Sequence, residues 1–440
     1  MANQIKRAKI GWSSESGREN VPFMSFRPEP PEVSVEQLHA QTLERITRSR
    51  PRLISIGRAL EAIPRMRSNM ILHPGPPATW EHMNPLLRGA VVGALLYEGV
   101  AETEAEARDL AAQGRVALEP CHDHGAVCPG ASVISPSMPV CIVKNETFNN
   151  LAYCTLNEGS GKVIRYGAYK ADAIDRLEWV EKSLAPVLRQ AVAAAGGLDL
   201  AGIMSQAVQM GDNLGQQTKA ATALLVRTLA PHMVRTCSNR EMLWQILFFL
   251  DEHASFFQNL AMAAAKAALD AARGIPGSRL VTAMAMNGAD FGIQVSGLGD
   301  RWFSATMTPP NGAFLPGYGP TDASPLIGDD SIMEAYGLGA FVLANSPAPV
   351  LFMGGTLVQA QHITETMYQI TAGANPLYAL PALSLKGAPT GIDVGAVAAQ
   401  RLTPQLYVEI LSKEPGGGAV GAALWQPPLE PFEQAMAAME

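Results

Sequence analysis

Between residues 170 and 275 the apolar side chains recur almost wholly at helical spacing, with breaks only at "AGGLD" and "MGDNLG". At 276 the texture changes. "RLVTAMAM", "FGIQVSG" and "RWFSATM" are β-like runs separated by "NGAD" and "LGD", which is turn chemistry. A helical block followed by short strands implies an α+β architecture in several lobes rather than a regular strand–helix alternation, and no internal repeat is visible. Four segments are expected: an arm or linker over 1–32, an α+β lobe over 33–169, a helical lobe over 170–275 and an α+β lobe with Gly-rich loops over 276–440.

Within the second segment, "SVEQLHAQTLERITRS" (34–49) reads as an amphipathic helix and 84–114 as two helices joined at Val100–Ala101. "RVALEP" (115–120) reads as a strand. Further on, helices are expected near 331–345 and 357–373, with "PVLFMGG" (349–355) as a strand between them.

A chain of 440 residues exceeds the size at which single cores stop growing, ~250–300 residues. Its 48% hydrophobic and 17% charged content is a globular balance. The net charge of −7 argues against nucleic acid as a partner, because phosphate binding needs a basic footprint. No stretch reaches ~18 apolar residues; the richest, "FFQNLAMAAAKAALDAA" (256–272), is interrupted by Gln258, Asn259, Lys266 and Asp270. The N-terminus lacks the apolar core of a signal peptide and the five cysteines are an odd count, so a cytoplasmic protein with reduced thiols and no membrane partner is expected.

"ALEPCHDHGAVCPG" (117–130) packs two cysteines and two histidines into eight positions. Structural zinc needs a closer cysteine pair repeated elsewhere, and Cys121 and Cys128 have six residues between them with no second pair. His122 and His124 would share one face of a strand. A substrate-facing catalytic loop is the first reading, a metal site the second and a polar strand end the third; no metal or cofactor is assigned. "NEGSGKV" (157–163) fails as a phosphate loop, with Leu156 in place of the first glycine and Val163 in place of the Ser/Thr. "PGGGAVG" (415–421) is either an anion nest or a flexible turn. No G-x-S-x-G elbow occurs.

What remains is a scatter of polar residues in Gly-rich settings: "LHPGPPATW" (72–80), "NEGSGKVIRYGAY" (157–169), "MNGADFGIQVSGLGDRWF" (286–303), "IGDDSIMEAYG" (327–337) and "PTGID" (389–393). Such turns let backbone approach a ligand closely, and several together suggest one composite site.

These segments resemble a bacterial family, the YlbE/YahG-like proteins. "LHPGPPATWEHMNPLLRGAVVGALLYEG", "PCHDHGAV", "SMPVCIV", "LNEGSGKVIRYGA", "MGD", "NGADFGI", "SGLGDRWF", "PGYG" and "PTGID" follow in family order over about residues 35–436. One branch of that family is similar to the AllG subunit of oxamate carbamoyltransferase, which works beside an FdrA-type subunit. The resemblance implies an α+β fold and carbamoyltransferase-type chemistry at a ureido or amide C–N bond, with phosphate or carbamoyl phosphate as a further ligand and a homo-oligomer. The chain departs from the family pattern at Asn213, Gly215, Gln217, Met286, Gln294 and Ser412, where the family carries charged or hydrogen-bonding groups. These losses imply either a site retuned to a less anionic substrate or an assembly subunit without catalysis; a stand-alone amide hydrolase is a third reading.

On the resemblance, His122 or His124 would handle the proton, with Glu158 and Asp329 as general base or orienters. Arg165 or Arg301 would grip a carboxylate or phosphate. Asn157 and Asn287 would orient an amide or stabilise an oxyanion, and Asp290, Glu334, Asp393 and Lys413 complete the expected substrate contacts.

Overall fold

The computed structural model describes residues 34–439. The alanine-rich segment flagged above is the helix Gln258–Asp270, and twelve of its thirteen residues are buried, Gln258, Asn259 and Lys266 among them. Small side chains on every face let strands approach from several directions, which is the behaviour of a helix apolar all round. It packs on Pro51–Arg58, Pro139–Asn145, Leu151–Thr155 and Val281–Asn287, so strands from both ends of the sequence meet on it. One core runs through Ile46, Val143, Leu188, Met262, Met284 and Phe341.

The first sheet has five strands in the order Ala126–Val127, Leu151–Thr155, Pro139–Asn145, Pro51–Arg58, Leu198–Asp199. It is antiparallel except for the first pair. Met70–His73 and Ala117–Pro120 form a separate parallel pair, with His73 opposite Pro120. The second sheet is antiparallel in the order Phe303–Thr306, Asp290–Val295, Val281–Asn287, Ile327–Gly328. Ala313–Phe314, Ala419–Trp425 and Leu406–Leu411 make a third sheet, and Thr371–Leu380 with Lys386–Ile392 a fourth. The architecture is α+β, as the change of texture implies. The described residues contain no helix long and apolar enough to cross a membrane.

The 170–275 block is mainly helical, broken by the two-residue strand Leu198–Asp199 and by connections of which the longest spans 210–218, and the pair expected over 84–114 is Pro85–Tyr97 and Glu104–Ala112. Asn84 caps the first of these by accepting the Leu87 N–H at 2.9 Å, with Pro85 at the first turn. Three local expectations change. "PVLFMGG" holds the helix Ala348–Phe352, because Pro349 fits a first helical turn and withholds the N–H a strand ladder would need. The helix expected over 331–345 is two short pieces, Ile332–Ala335 and Gly339–Val342. They are separated by Gly337 and Gly339 at φ +89° and +59°, a backbone region that ends a right-handed helix. The helix starting at Leu357 ends at Met367, and Thr371–Leu380 continues as a strand. The expected arm over 1–32 lies outside the described residues.

Candidate functional site

The stretch Cys121–His124 is a turn of 3-10 helix closed by Gly125 at φ +68°, not a strand, so alternate residues do not share a face. The two histidines diverge. His124 pairs Nε2 with Glu119 at 2.7 Å and Nδ1 with the Pro64 carbonyl at 3.1 Å. His122 turns inward, is fully buried, and stands 3.5 Å from Asp329 Oδ1 through Nε2. Cys121 and Cys128 are free thiols with sulfurs 3.5 Å apart. Among the described residues no group of three or more His, Cys, Asp or Glu side chains is arranged to hold a metal.

The tight turn Gly328–Asp329–Asp330–Ser331 organises the interior, because its two carboxylates serve different neighbourhoods. Asp329 accepts the Gly75 N–H and the Cys128 N–H, both at 2.8 Å. His73 lies beside it, its Nδ1 2.9 Å from the Pro74 carbonyl and its Nε2 without a partner. Both ring nitrogens of His122 and Oε1 of Gln294 are likewise buried and unpartnered. Burial pushes both imidazoles below their usual range, against the opposing pull of Asp329, so they are held neutral. Lys266, also buried, donates to Asp270 at 2.7 Å and to the His122 carbonyl at 3.0 Å. This fixes the backbone of the turn, not its imidazole.

Asp330 faces the other way. Its Oδ2 accepts the Gly130 N–H at 2.9 Å, and its Oδ1 accepts from Gln258 at 2.6 Å and Gln216 at 3.4 Å. Burial pushes this carboxyl up to about 6, although Arg165 opposes the rise. Arg165 is buried, its guanidinium 5.1 Å from the Tyr166 ring centroid. Among the described residues it makes only long contacts, 3.4 Å to Gln258 Oε1 and 3.4 Å to Glu409 Oε2, and its Nε has no partner. Asp330 and Glu409, with Gly130, Gln216, Met286, Leu326, Ile327, Val408 and Leu411, line a narrow recess of about 10 Å³, room for a single water. A buried cation with incomplete hydrogen bonding beside a cavity is where a ligand carbonyl or carboxylate is accepted.

Glycine packing puts Arg165 there. The turn Ile164–Tyr166 ends at Gly167, φ +73°, where a Cβ would lie 2.7 Å from the Leu86 backbone. Reciprocally, a Cβ on Gly89 would strike the Gly167 carbonyl. Helix Pro85–Tyr97 therefore seats directly on that turn. Glu158 ties it from inside by accepting the Ile164 N–H at 2.8 Å, and burial pushes its carboxyl up to about 7.

Of the expected residues, Arg165 sits on this turn and Glu158 against it, and His122 lies on the far side of the 328–331 segment, beside Asp329. Asn287 touches the same region, donating to the Pro76 carbonyl at 3.2 Å, but its oxygen is spent on the Ala289 and Asp290 N–H groups of its own hairpin. Asn157 is consumed by Ser255, Asn259 and Gly159. Glu334 is sealed against the Ala340 and Tyr407 N–H groups. The others stand apart. Asp290 accepts from Thr306 at the hairpin edge, and Arg301 is exposed over Phe303. Asp393 caps helix Val394–Gln400 and pairs with Arg279 at 3.1 Å, and the Lys413 side chain is exposed. Sequence reasoning missed Asp330, Gln258, Gln216 and Glu409. Asp330 and Gln258 stood in quoted segments, but Gln258 read as an interruption of an apolar run, and Gln216 and Glu409 lay outside every segment singled out.

The family described as oxamate carbamoyltransferase subunit AllG matches residues 116–330. The chain is 40% identical over 396 residues to a protein of Escherichia coli K12 titled uncharacterized protein YahG, covering 90% of this chain and 84% of that one. It is 40% identical over 410 residues to the oxamate carbamoyltransferase subunit AllG of the same organism, covering 92% and 98%. A crystal structure of a conserved protein of unknown function from Enterococcus faecalis V583 superposes with a TM-score of 0.90 at 40% identity, over 92% of this chain and 97% of that one. Similarity of this extent along nearly the whole length makes the chain a member of the AllG/YahG family.

Proposed function

We propose that this protein is a subunit of a carbamoyltransferase-type enzyme, and that the narrow recess beside Arg165 and Asp330 accepts a polar group of a neutral ureide or amide in place of water. The observation that carries this is the charge balance around the recess: two carboxylates in its wall, Asp330 and Glu409, and behind Glu409 one under-coordinated arginine, Arg165. A ureido group is planar, with one acceptor oxygen and several N–H donors. Its carbonyl suits Arg165 and its N–H groups suit the carboxylates. A phosphate or dicarboxylate would meet two like charges there. Met286, where the family pattern carries arginine, lines the same recess. Retuning to a less anionic substrate fits that placement.

In this reading Arg165 polarises the carbamoyl oxygen as negative charge develops on it. As an acceptor oxygen bonds to the carbamoyl carbon and the C–N bond breaks, Asp330 hands the departing nitrogen a proton and regains one from the acceptor, a task suited to a carboxyl near 6. His122 and Asp329 act behind the turn as positioning residues. The acceptor, if phosphate, is held outside this recess, and an FdrA-like partner subunit is the proposed source of that anion site. Self-association and a cytoplasmic location belong to the same proposal.

Calorimetry of the purified chain should detect a neutral ureide and no inorganic phosphate. Arg165→Ala should weaken ureide binding by about 10–100-fold, the loss of one or two charge-assisted hydrogen bonds. Turnover of ureide with phosphate should need the partner. An assembly subunit would still capture the partner while binding no ureide, and that outcome would sink the proposal.

A further inference from the structure

A wider cavity of about 400 Å³ lies against the strand pair Leu406–Leu411 and Ala419–Trp425, a size that takes a small organic ligand. Strand alternation turns Tyr407 and Glu409 to the cavity and Leu406, Val408 and Ile410 to the core. Opposite Glu409 in the ladder stands Ala422, whose methyl group neither covers the carboxylate nor offers it a hydrogen bond. Leu315, Pro349 and Phe352 supply most of the remaining wall, and Phe352 is 50% exposed. Polar capacity is left unused among these apolar groups. Glu409 makes one long contact, 3.4 Å from its Oε2 to Arg165, and its Oε1 has no partner among the described residues. The Tyr407 hydroxyl has none either, since only the backbone N–H of that residue is engaged, by Glu334. Gln217 accepts from the Ser346 hydroxyl at 2.8 Å through Oε1, so its side-chain amide keeps both N–H groups for a ligand.

Glu409 is the only charged group in this wall. Arg165 does not neutralise it alone, because that guanidinium also answers the buried carboxyls of Asp330 and Glu158. A carboxylate with a free oxygen in a largely apolar cavity favours a ligand that brings positive charge and N–H donors. The rings of Tyr407 and Phe352 add aromatic surface of the kind that attracts cations. We infer that this cavity binds an organic cation, a protonated amine that donates to Glu409 and the Tyr407 hydroxyl and carries an apolar body lying against Leu315, Pro349 and Phe352. The walls come from the strand pair, the 210–218 connection and helix Ala348–Phe352, an enclosure that suits a small molecule better than a flat protein face. An anion of the same shape would meet the Glu409 carboxylate, and a neutral one would forgo the charge-assisted bond. This site rests on its own wall and holds whether or not the recess at Asp330 takes a ureide.

Calorimetry on the full chain with 2-phenylethylammonium, 2-phenylethanol and 3-phenylpropionate, which share one apolar body, tests this. The ammonium should bind about 10-fold tighter than the alcohol, the difference between a charge-assisted and a neutral hydrogen bond, and the propionate should not bind. Glu409→Gln keeps the size and one acceptor oxygen, and should bring the ammonium down to the level of the alcohol. Ala348→Trp places an indole in the cavity wall from an exposed position and should weaken ammonium and alcohol alike without lowering the melting temperature. Methylurea, if the recess takes it, should bind Ala348→Trp as it binds the unmodified chain. Equal affinity for ammonium and alcohol in the unmodified chain, or an ammonium that binds Ala348→Trp as tightly as before, overturns the inference.

Discussion

Glu334→Gln should stabilise the protein at pH 8 by on the order of 4 kcal/mol and leave it nearly unchanged at pH 5. Glu334 is buried beneath the Gly337–Gly339 turn, with Oε1 accepting the Ala340 N–H at 2.9 Å and the Tyr407 N–H at 3.2 Å. Burial pushes its carboxyl from 4.5 up to about 8, held back by those two N–H groups and raised further by Asp330. A carboxyl whose folded value is raised keeps its proton in the native state over a window where the unfolded chain has lost it. Native stability therefore falls as pH climbs from about 4.5 towards 8, by about 1.4 kcal/mol per unit for one such group. Glutamine offers the same acceptor oxygen without the titration. Glu158 at about 7 and Asp330 at about 6 act with the same sign, so Glu334→Gln should make the decline shallower without abolishing it. Urea midpoints between pH 5 and 8.5 would show it. Equal slopes in the two proteins would mean that Glu334 is ionised in the native state.

Gly75→Ala should be severely destabilising, by about 3 kcal/mol or more, through strain at a positive φ combined with overpacking. Gly75 sits at φ +87°, and a Cβ there would lie 2.5 Å from the Asn287 nitrogen and 2.6 Å from the Met286 carbonyl carbon. Both are strand backbone, which cannot swing away as a flexible side chain would. Any shift also draws the Gly75 N–H away from Asp329, leaving one oxygen of a buried carboxylate without that donor. Gly114→Ala is the control: φ is +67° but nothing lies within 4 Å of its Cβ, so only the conformational cost of about 1 kcal/mol remains. Denaturant titration of the two variants should separate them clearly. Similar small losses in both would show that the 74–76 loop yields more easily than its packing implies.

These effects bear on how far the sequence could be read. Helical periodicity over 170–275 and the β-like runs after 276 survive into the structure because they are local patterns with many repeats. Helix 348–352 does not follow from an apolar run alone; the deciding residue is Pro349, which removes a ladder donor. The same limit applies to the site. His122 drew notice by its residue type, yet the 3-10 turn over Cys121–His124 buries its ring and sends His124 the other way. Gln258 is one polar residue in an alanine-rich helix, and Glu409 one charge in an alternating strand. They meet Asp330 and Arg165 only because that helix, that strand and the 164–167 turn converge from positions far apart in the chain. No spacing rule encodes that meeting. The side chain of Asp330 is indistinguishable in sequence from that of Asp329, and the tight turn at Gly328 alone sends them to opposite neighbourhoods.

A crystal structure of the chain soaked with saturating methylurea is the most direct measurement of the central claim. The expected result is density for the ligand with its carbonyl oxygen within hydrogen-bond distance of the Arg165 guanidinium and an N–H on Asp330 or Glu409. Density elsewhere, or an empty recess with Arg165 still held only by Gln258 and Glu409, would contradict it.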